Sequence, residues 1–337
     1  MSEPRVLVVG HGLIGRQRAA AVAELGGTLA GTVDPVADGR DDAPHHRALA
    51  EVDPEAYDAA VIALPHDLAV QTAKHVLAAG RPVLIEKPLG LDAATAQTLL
   101  DAAAAIEAPS FVGYNYRFLP HIRRVLEAAA DGTLGTLRTI DMLLGHGGHP
   151  DSAQGWKLDP KLAGGGVVLD PGVHLLDLLL LLDPEIELLH AAGTRGFWGT
   201  GIEEDVVLTF GHARLLATVR VSHMRWVNDF HVETIGEDGY AIATGRGGNY
   251  GSQTLRLGRR WAWSEPGAPS QRKTETTADY GPHNVSLADE LAAVLSRWRG
   301  DPAPTTGPHP ATFAEAYNVT ALVDAVYDRI GRAAAPA

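Results

Sequence analysis

Two short clusters carry residue types that can do chemistry together. The first is Glu86-Lys87-Pro88, which follows the apolar run Val83-Leu84-Ile85 with no spacer. A buried parallel strand runs straight into charge only where its carboxyl end opens onto a crevice, and ligands bind there in open α/β sheets. Pro88 stiffens the exit and holds Lys87 on a rigid corner. Lysine is scarce in the chain, with five in 337 residues (Lys74, Lys87, Lys157, Lys161 and Lys273), so Lys87 stands out from a charged surface built mainly of arginine and acids. The second cluster is Asp170-Pro171-Gly172-Val173-His174, preceded by Gly164-Gly165-Gly166. Pro171 suits the first position of a helix, with Asp170 as its N-cap and His174 one turn on, near the same face. An unperturbed imidazole titrates near pH ~6.5, in the working range of a general base. Asp177, another turn along, reads as a structural hydrogen-bonding or helix-surface group.

A third motif supplies the partner for this chemistry. Arg5 to Val9 is a continuous apolar strand, Gly10-His11-Gly12-Leu13-Ile14-Gly15 follows at once, and Arg16 to Leu25 reads as an alanine-rich helix. This is G-x-G-x-x-G after a strand and opening a helix. Gly10 permits the tight turn, Gly12 lets a pyrophosphate approach the backbone, Gly15 lets helix and strand pack closely, and the helix N-terminus offers N–H groups to phosphate. The next strand, Thr28 to Val33, ends at Asp34, where an acid binds the adenosine ribose. An acid there repels a 2′-phosphate, and no arginine follows immediately, so NAD is favoured over NADP. With NAD on the first half, its nicotinamide lies near Lys87. A substrate alcohol must then lose a hydride from carbon and a proton from oxygen. His174 takes the proton, Lys87 stabilises the developing alkoxide, and Asp170 orients and balances them.

The elements that position these groups follow from periodicity. Strands are expected at Ala59 to Leu64, Val83 to Ile85 and Phe111 to Arg117, and helices at Leu68 to Ala79 and Ala93 to Ile106, the second capped by Asp92. That alternation is a doubly wound parallel sheet, residues 1–121. After Asp131-Gly132 strands dominate: Thr136 to Leu144, Asp205 to Phe210, Arg214 to Ser222, His231 to Gly236, Tyr240 to Thr244, Thr254 to Leu257 and Lys273 to Thr277. The expected second unit, 122–305, is α+β with a large open, mainly antiparallel sheet. Helices are expected at Ser286 to Arg297 and Ala311 to Ile330, the last (308–332) packing back on the first unit.

Composition narrows the class further. Hydrophobic residues make up 45% of the chain and charged residues 20%, as in an ordinary globular protein. A formal net charge of −13 without a basic cluster argues against nucleic-acid binding. With no cysteine there is no disulfide or thiolate metal site, and His146 and His149 lack a third spaced ligand, so no metal is expected. The longest apolar stretch, Leu175 to Leu182, is too short to cross a bilayer and contains Asp177. Met1-Ser2-Glu3-Pro4 does not open a signal peptide, and a cytoplasmic protein is expected.

In order and spacing, Gly10 to Gly15, Pro65-His66, Glu86-Lys87-Pro88, Tyr114-Asn115-Tyr116-Arg117 and Asp170-Pro171-Gly172-Val173-His174 resemble the Gfo/Idh/MocA family of sugar and cyclitol oxidoreductases across essentially the whole chain. The resemblance implies a Rossmann domain followed by an α/β domain whose open sheet often mediates dimers or tetramers. It implies Lys87, Asp170 and His174 as the catalytic set, with a cis Lys87-Pro88 peptide. It further implies cofactor contacts from Gly10, His11, Gly12, Leu13, Ile14 and Gly15, from Asp34, from Leu64, Pro65 and His66, and from Glu86, Lys87 and Asn115. Substrate contacts would come from Lys87, Tyr114, Arg117, Trp156, Lys157, Asp170 and His174. Here His66 occupies a position often filled by asparagine, and Ala69 one often filled by histidine. The stretches Gly145 to Gly166 and Gly247 to Gly251 resemble the branch found in surface-polysaccharide and specialised sugar pathways, which implies a sugar, sugar phosphate or nucleotide-sugar substrate. Two other readings of the same residues are an NAD-dependent glycosidase or epimerase that oxidises transiently, and a non-catalytic NAD-binding regulator.

Overall fold

The computed structural model describes residues 3–36, 43–147, 163–259, 274–304 and 307–332. Among these, seven strands form one sheet: β1 (Arg5–Val9), β2 (Thr28–Val33), β3 (His45–His46), β4 (Ala59–Ile62), β5 (Val83–Glu86), β6 (Phe111–Gly113) and, from the far end of the chain, β15 (Ala311–Thr312). Their order is β15-β6-β5-β4-β1-β2-β3. All pairings are parallel except β15 with β6. Val6 to Val9, Ala59 to Ile62 and Val83 to Ile85 are buried along their whole length, as strands covered on both faces must be. One face carries helix α1 (Leu13–Glu24) and the late helix α6 (Ser286–Trp298), which enclose Val6, Val8, Val61, Leu84 and Phe111. Helices α2 (His66–Ala78) and α3 (Ala93–Ala104) cover the other face. The strand order turns back at β1, so the crevice at the carboxyl ends of β1 and β4 is the switch point where such sheets bind ligands.

The second sheet has eight strands among the described residues, in the order β14-β13-β12-β11-β7-β10-β9-β8. These are β7 (Leu137–Gly145), β8 (Glu187–Arg195), β9 (Glu203–His212), β10 (Leu215–Ser222), β11 (Asp229–Gly236), β12 (Gly239–Thr244), β13 (Thr254–Arg259) and β14 (Glu275–Asp279). Only β7 and β10 pair in parallel. Alternation sets the two faces: Val206, Leu208, Phe210, Ala217, Val219, Phe230 and Val232 point inward, whereas Val207, Leu216 and Ile235 are exposed. The inner face packs on α4 (Pro120–Ala130), α5 (Val173–Leu182) and α7 (Phe313–Ile330). One apolar core continues from the first sheet into the second, so the two sheets are held as one packed body.

Several elements depart from the sequence reading. The strand at Phe111 stops at Gly113, and Asn115–Phe118 is a 3-10 turn that carries Arg117 inward. Helix α4 went unread, although Pro120 opens it and His121, Ile122, Val125 and Ala128 form its buried stripe. Edge strand β8 was also missed, because an edge strand that buries little lacks the apolar run that marks a central one. Residues Ala311-Thr312 add a short strand to the first sheet before α7 begins, where Thr312 and Glu315 form a capping box.

A buried ion cluster ties α1, β5 and α6 together. The fully buried Arg18 donates to Glu86 from Nε at 2.9 Å and from Nη2 at 2.7 Å, and to Glu290 at 2.5 Å. Burial works against its charge, but Glu86 and Glu290 outweigh that and keep it protonated. Two carboxylates share one guanidinium, and burial beside Glu86 pushes Glu290 up to about 7. A carboxyl whose folded-state value lies above its unfolded one loses stability as pH rises between the two. Glu290→Gln is therefore expected to gain in melting temperature over the parent as pH is raised from 5 to 8.5; a constant difference across that range would remove the assignment.

Candidate active site

The glycine loop after β1 is shaped by close contacts. Gly10 has φ +93°, and a Cβ there would lie 2.3 Å from the Ala63 carbonyl oxygen. A Cβ on Gly15 would lie 1.7 Å from the Gly10 oxygen, so that position admits only glycine. Gly12 has open space where a Cβ would point. It is the N-cap of α1 without a side-chain cap, which leaves the first-turn N–H groups facing outward for an anion. Asp34, at the end of β2, accepts from the backbone N–H of His11 (2.8 Å) and of Val36 (2.9 Å), fastening the ribose-side acid to the loop. These residues fit a dinucleotide: the loop has room at Gly12, donors at α1 and an acid at Asp34. Arg47, twelve positions beyond Pro35, donates to the Pro35 carbonyl at 3.0 Å. The sequence showed no arginine directly after Asp34, but the fold brings one beside it.

Leu64 packs near Gly10, and Pro65 leads into α2, so both line the same crevice. The expected cofactor contact His66 is instead buried, with Nδ1 donating to the Ala163 carbonyl at 3.1 Å, and it ties α2 to the segment entering the second cluster. The Glu86 carboxylate is likewise turned inward to Arg18, and a Cβ at Gly113 would lie 2.9 Å from its Oε2. That carboxylate braces the strand end that carries Lys87. Asn115 donates to the Ser286 hydroxyl at 2.7 Å, linking the end of β6 to α6.

Lys87 and Asp170 meet. The Lys87 ammonium donates to the Asp170 carboxylate, with side chains 14% and 20% exposed. Each precedes a cis proline, Pro88 and Pro171. Asp170 is not a helix N-cap. It interrupts the π-helical turn Val168–Gly172 with extended φ −146°, ψ 105°, which turns its side chain across to Lys87 rather than along the helix. The glycines before it are steric necessities: a Cβ on Gly165 would lie 2.0 Å from the Tyr327 hydroxyl, and one on Gly166 2.0 Å from the Glu203 carbonyl oxygen. The buried Glu203 carboxylate accepts from the N–H groups of Gly166 (2.8 Å) and Val168 (3.2 Å) and from the Tyr327 hydroxyl (2.7 Å), anchoring the turn.

His174, in the first turn of α5, is 5% exposed and lies flat on Tyr116, centroids 3.9 Å apart and rings 5° from parallel. Tyr114 meets it edge-on at 6.0 Å. Tyr114 is fully buried, and burial together with Asp177 pushes its phenol well above the usual range. It is a wall behind the imidazole rather than the expected substrate contact. Arg117 is also corrected. It is buried, and its guanidinium is committed to Asp177 through Nε (2.8 Å) and Nη2 (2.6 Å) and to Glu315 through Nη1 (3.3 Å). Asp177 is thus its structural counter-charge. Trp156 and Lys157 lie outside the described residues.

Three residues beside this site were not singled out as ligands. Tyr116 lies between Asn115 and Arg117, both expected ligands. Arg246 and Tyr250 flank the glycine-rich stretch after β12, and the Arg246 guanidinium lies 5.0 Å from the Tyr116 ring centroid and 4.2 Å from that of Tyr250.

Residues 4–114 match the family model described as "Oxidoreductase family, NAD-binding Rossmann fold", and residues 122–242 match the GFO/IDH/MocA C-terminal domain. The chain belongs to the Gfo/Idh/MocA family. Among curated family relatives, the rhizopine catabolism protein MocA of Rhizobium meliloti is 28% identical over 184 residues, 52% of this chain and 56% of that protein. The 1,5-anhydro-D-fructose reductase of Ensifer adhaerens is 32% identical over 155 residues, 44% of this chain and 45% of that protein. The chain thus spans about half the length of the curated relatives it matches. Among solved structures, the WlbA dehydrogenase from Bordetella pertussis in complex with NADH and UDP-GlcNAcA shares the fold at TM-score 0.77, 20% identity, over 97% of this chain and 96% of that one. A levoglucosan dehydrogenase complexed with NADH and levoglucosan shares it at TM-score 0.80, 17% identity, over 99% and 98%. Among the described residues no helix is long and apolar enough to cross a membrane, and no group of three or more candidate ligands could hold a metal ion.

The placement of Arg117 is open to a direct test. Arg117→Met or Asp177→Leu alone leaves a buried charge without its partner and is expected to cost about 3–5 kcal/mol of stability. The double variant, measured by urea denaturation, should recover most of that loss; additive losses would contradict a closed internal pair.

Proposed function

We propose that this protein is an NAD-dependent oxidoreductase that interconverts a secondary alcohol and a ketone on a sugar, cyclitol or sugar nucleotide. The observation that carries the reading is the meeting of Lys87 and Asp170, four residues before His174, beside a loop shaped for a dinucleotide. Residues 1–121, with α6 packed on their sheet, hold the cofactor, and the second sheet and its helices hold the substrate. Bound NAD supplies the hydride acceptor, or in reverse NADH the donor.

The chain's own groups handle the proton and the charge. The substrate hydroxyl gives its proton to the His174 imidazole as the C–H bond is broken, and in the reducing direction the imidazolium returns it to the oxygen. Tyr116, flat against the ring at 3.9 Å, keeps the imidazole in one plane. Lys87 lies where a developing alkoxide gains most from a cation in a partly buried site. Asp170 accepts from that ammonium, so its approach to the oxygen is directional. NAD is favoured over NADP on the strength of Asp34, whose carboxylate, held by two backbone N–H groups, repels a 2′-phosphate, with Arg47 on the Pro35 carbonyl as the opposing cation.

A panel of sugars, cyclitols and sugar nucleotides with NAD should yield NADH absorbance for at least one member. With that substrate, Lys87→Ala and His174→Asn should each lower kcat about 10²–10⁴-fold while NADH binding persists. Unchanged turnover in either variant would refute the roles. Asp34→Ser should shift the ratio of kcat/KM toward NADP; an unaltered ratio would refute the part given to Asp34.

A further inference from the structure

Arg246 is built into the wall of the candidate site with unusual care. Gly245 and Gly247 on either side have φ +74° and +81°, and their missing Cβ atoms would lie 1.9 Å from the Ser252 carbonyl oxygen and 2.6 Å from that of Pro282. No other residue type fits such a turn without strain. The loop is pinned at both ends of the arginine. The buried His121 donates from Nε2 to the Gly245 carbonyl at 2.8 Å, and Asn284 donates to the Arg246 carbonyl at 3.2 Å. Burial holds His121 down to about 4, so its ring is a neutral donor that adds no charge to the site.

The side chain so positioned reaches toward the catalytic cluster. Its guanidinium lies against Tyr116, the ring on which His174 rests, and against Tyr250. Both tyrosines also feel the charge of Asp170. Among the described residues Arg246 takes part in no ion pair; its guanidinium is a hydrogen-bond partner of Tyr116 and Tyr250, and its buried Nε has no hydrogen-bond acceptor. The other cation of the site, Lys87, is matched by Asp170. Arg246 thus brings a second cation to the site in a protein whose net charge is −13. A guanidinium stacked on aromatic rings has five N–H donors, and those not given to the two tyrosines suit a carboxylate or phosphate oxygen.

We infer that Arg246 is the specificity residue of this site and that the substrate bears an anionic group, a carboxylate or a phosphate, which Arg246 binds while the reacting hydroxyl faces Lys87 and His174. The inference rests on the oxidoreductase reading for the position of the hydroxyl. It names the chemical class of the substrate.

The test uses the full-length protein loaded with NADH for binding and with NAD for turnover, and D-glucose, D-glucuronate and D-glucose 6-phosphate as probes. Calorimetric titration should show one of the two anionic sugars binding about 10- to 100-fold more tightly than D-glucose, the range set by a charge-assisted hydrogen bond. The arm that wins distinguishes carboxylate from phosphate. Arg246→Gln should bring the anionic sugar to within about threefold of D-glucose, and Arg246→Lys should keep part of the preference as a point charge. Unaltered NADH affinity and melting temperature show that the variants are folded. Equal affinities in the parent, or a preference that survives Arg246→Gln, overturn the inference. Anion binding that depends on Arg246, with no NADH formed from these probes or from the wider panel of sugars, cyclitols and sugar nucleotides, keeps the inference and removes the oxidoreductase reading. Equal turnover of D-glucose by parent and variant, without anion preference, does the reverse.

Discussion

The ion pair between Lys87 and Asp170 is the constraint around which the two halves of the molecule are arranged. The lysine leaves the end of β5 in the first sheet, and the acid leaves the turn that precedes α5 beneath the second. Both side chains are largely out of water, where a lone ammonium or carboxylate would be costly, so neither element can move without leaving its charge behind. The continuous apolar core holds the two sheets at the separation the pair requires. Glu203 clamps the turn carrying Asp170, and Arg18 braces Glu86 directly behind Lys87. The same turn then delivers His174 onto the face of Tyr116.

Charged residues in this protein divide by where their partners sit. Arg18, Arg117, Asp177, Glu203 and Glu290 are fully or almost fully buried, with partners that come from distant parts of the chain. They join elements that apolar packing alone would leave free to slide. Lys87, Asp170 and Arg246 are only partly covered. A charge that is partly out of water acts more strongly on a ligand, because the drier surroundings strengthen its field.

Much of this arrangement was legible in the sequence. Strands buried on both faces are written as unbroken apolar runs, and a glycine loop between strand and helix has few other uses, so the central strands of the first sheet could be read directly. Lys87, Asp170 and His174 stood out as rare or reactive types beside prolines and glycines. Reading failed where charge alone had to be interpreted. Arg117 and Glu86 look like ligands in sequence, and only the fold shows that Asp177 and Arg18 have already engaged them. Asp170 before a proline has the pattern of a helix cap, yet an extended backbone there serves the pair with Lys87 instead. Arg246 was invisible because its meaning depends on Tyr116, which lies on an element far away in the chain.

A ternary complex tests the account most directly. In a crystal structure with NADH and a sugar that the enzyme turns over, one hydroxyl should lie within hydrogen-bond distance of both Lys87 and His174, with its carbon facing the nicotinamide ring. A bound, reactive sugar whose hydroxyl reaches neither side chain would contradict the account.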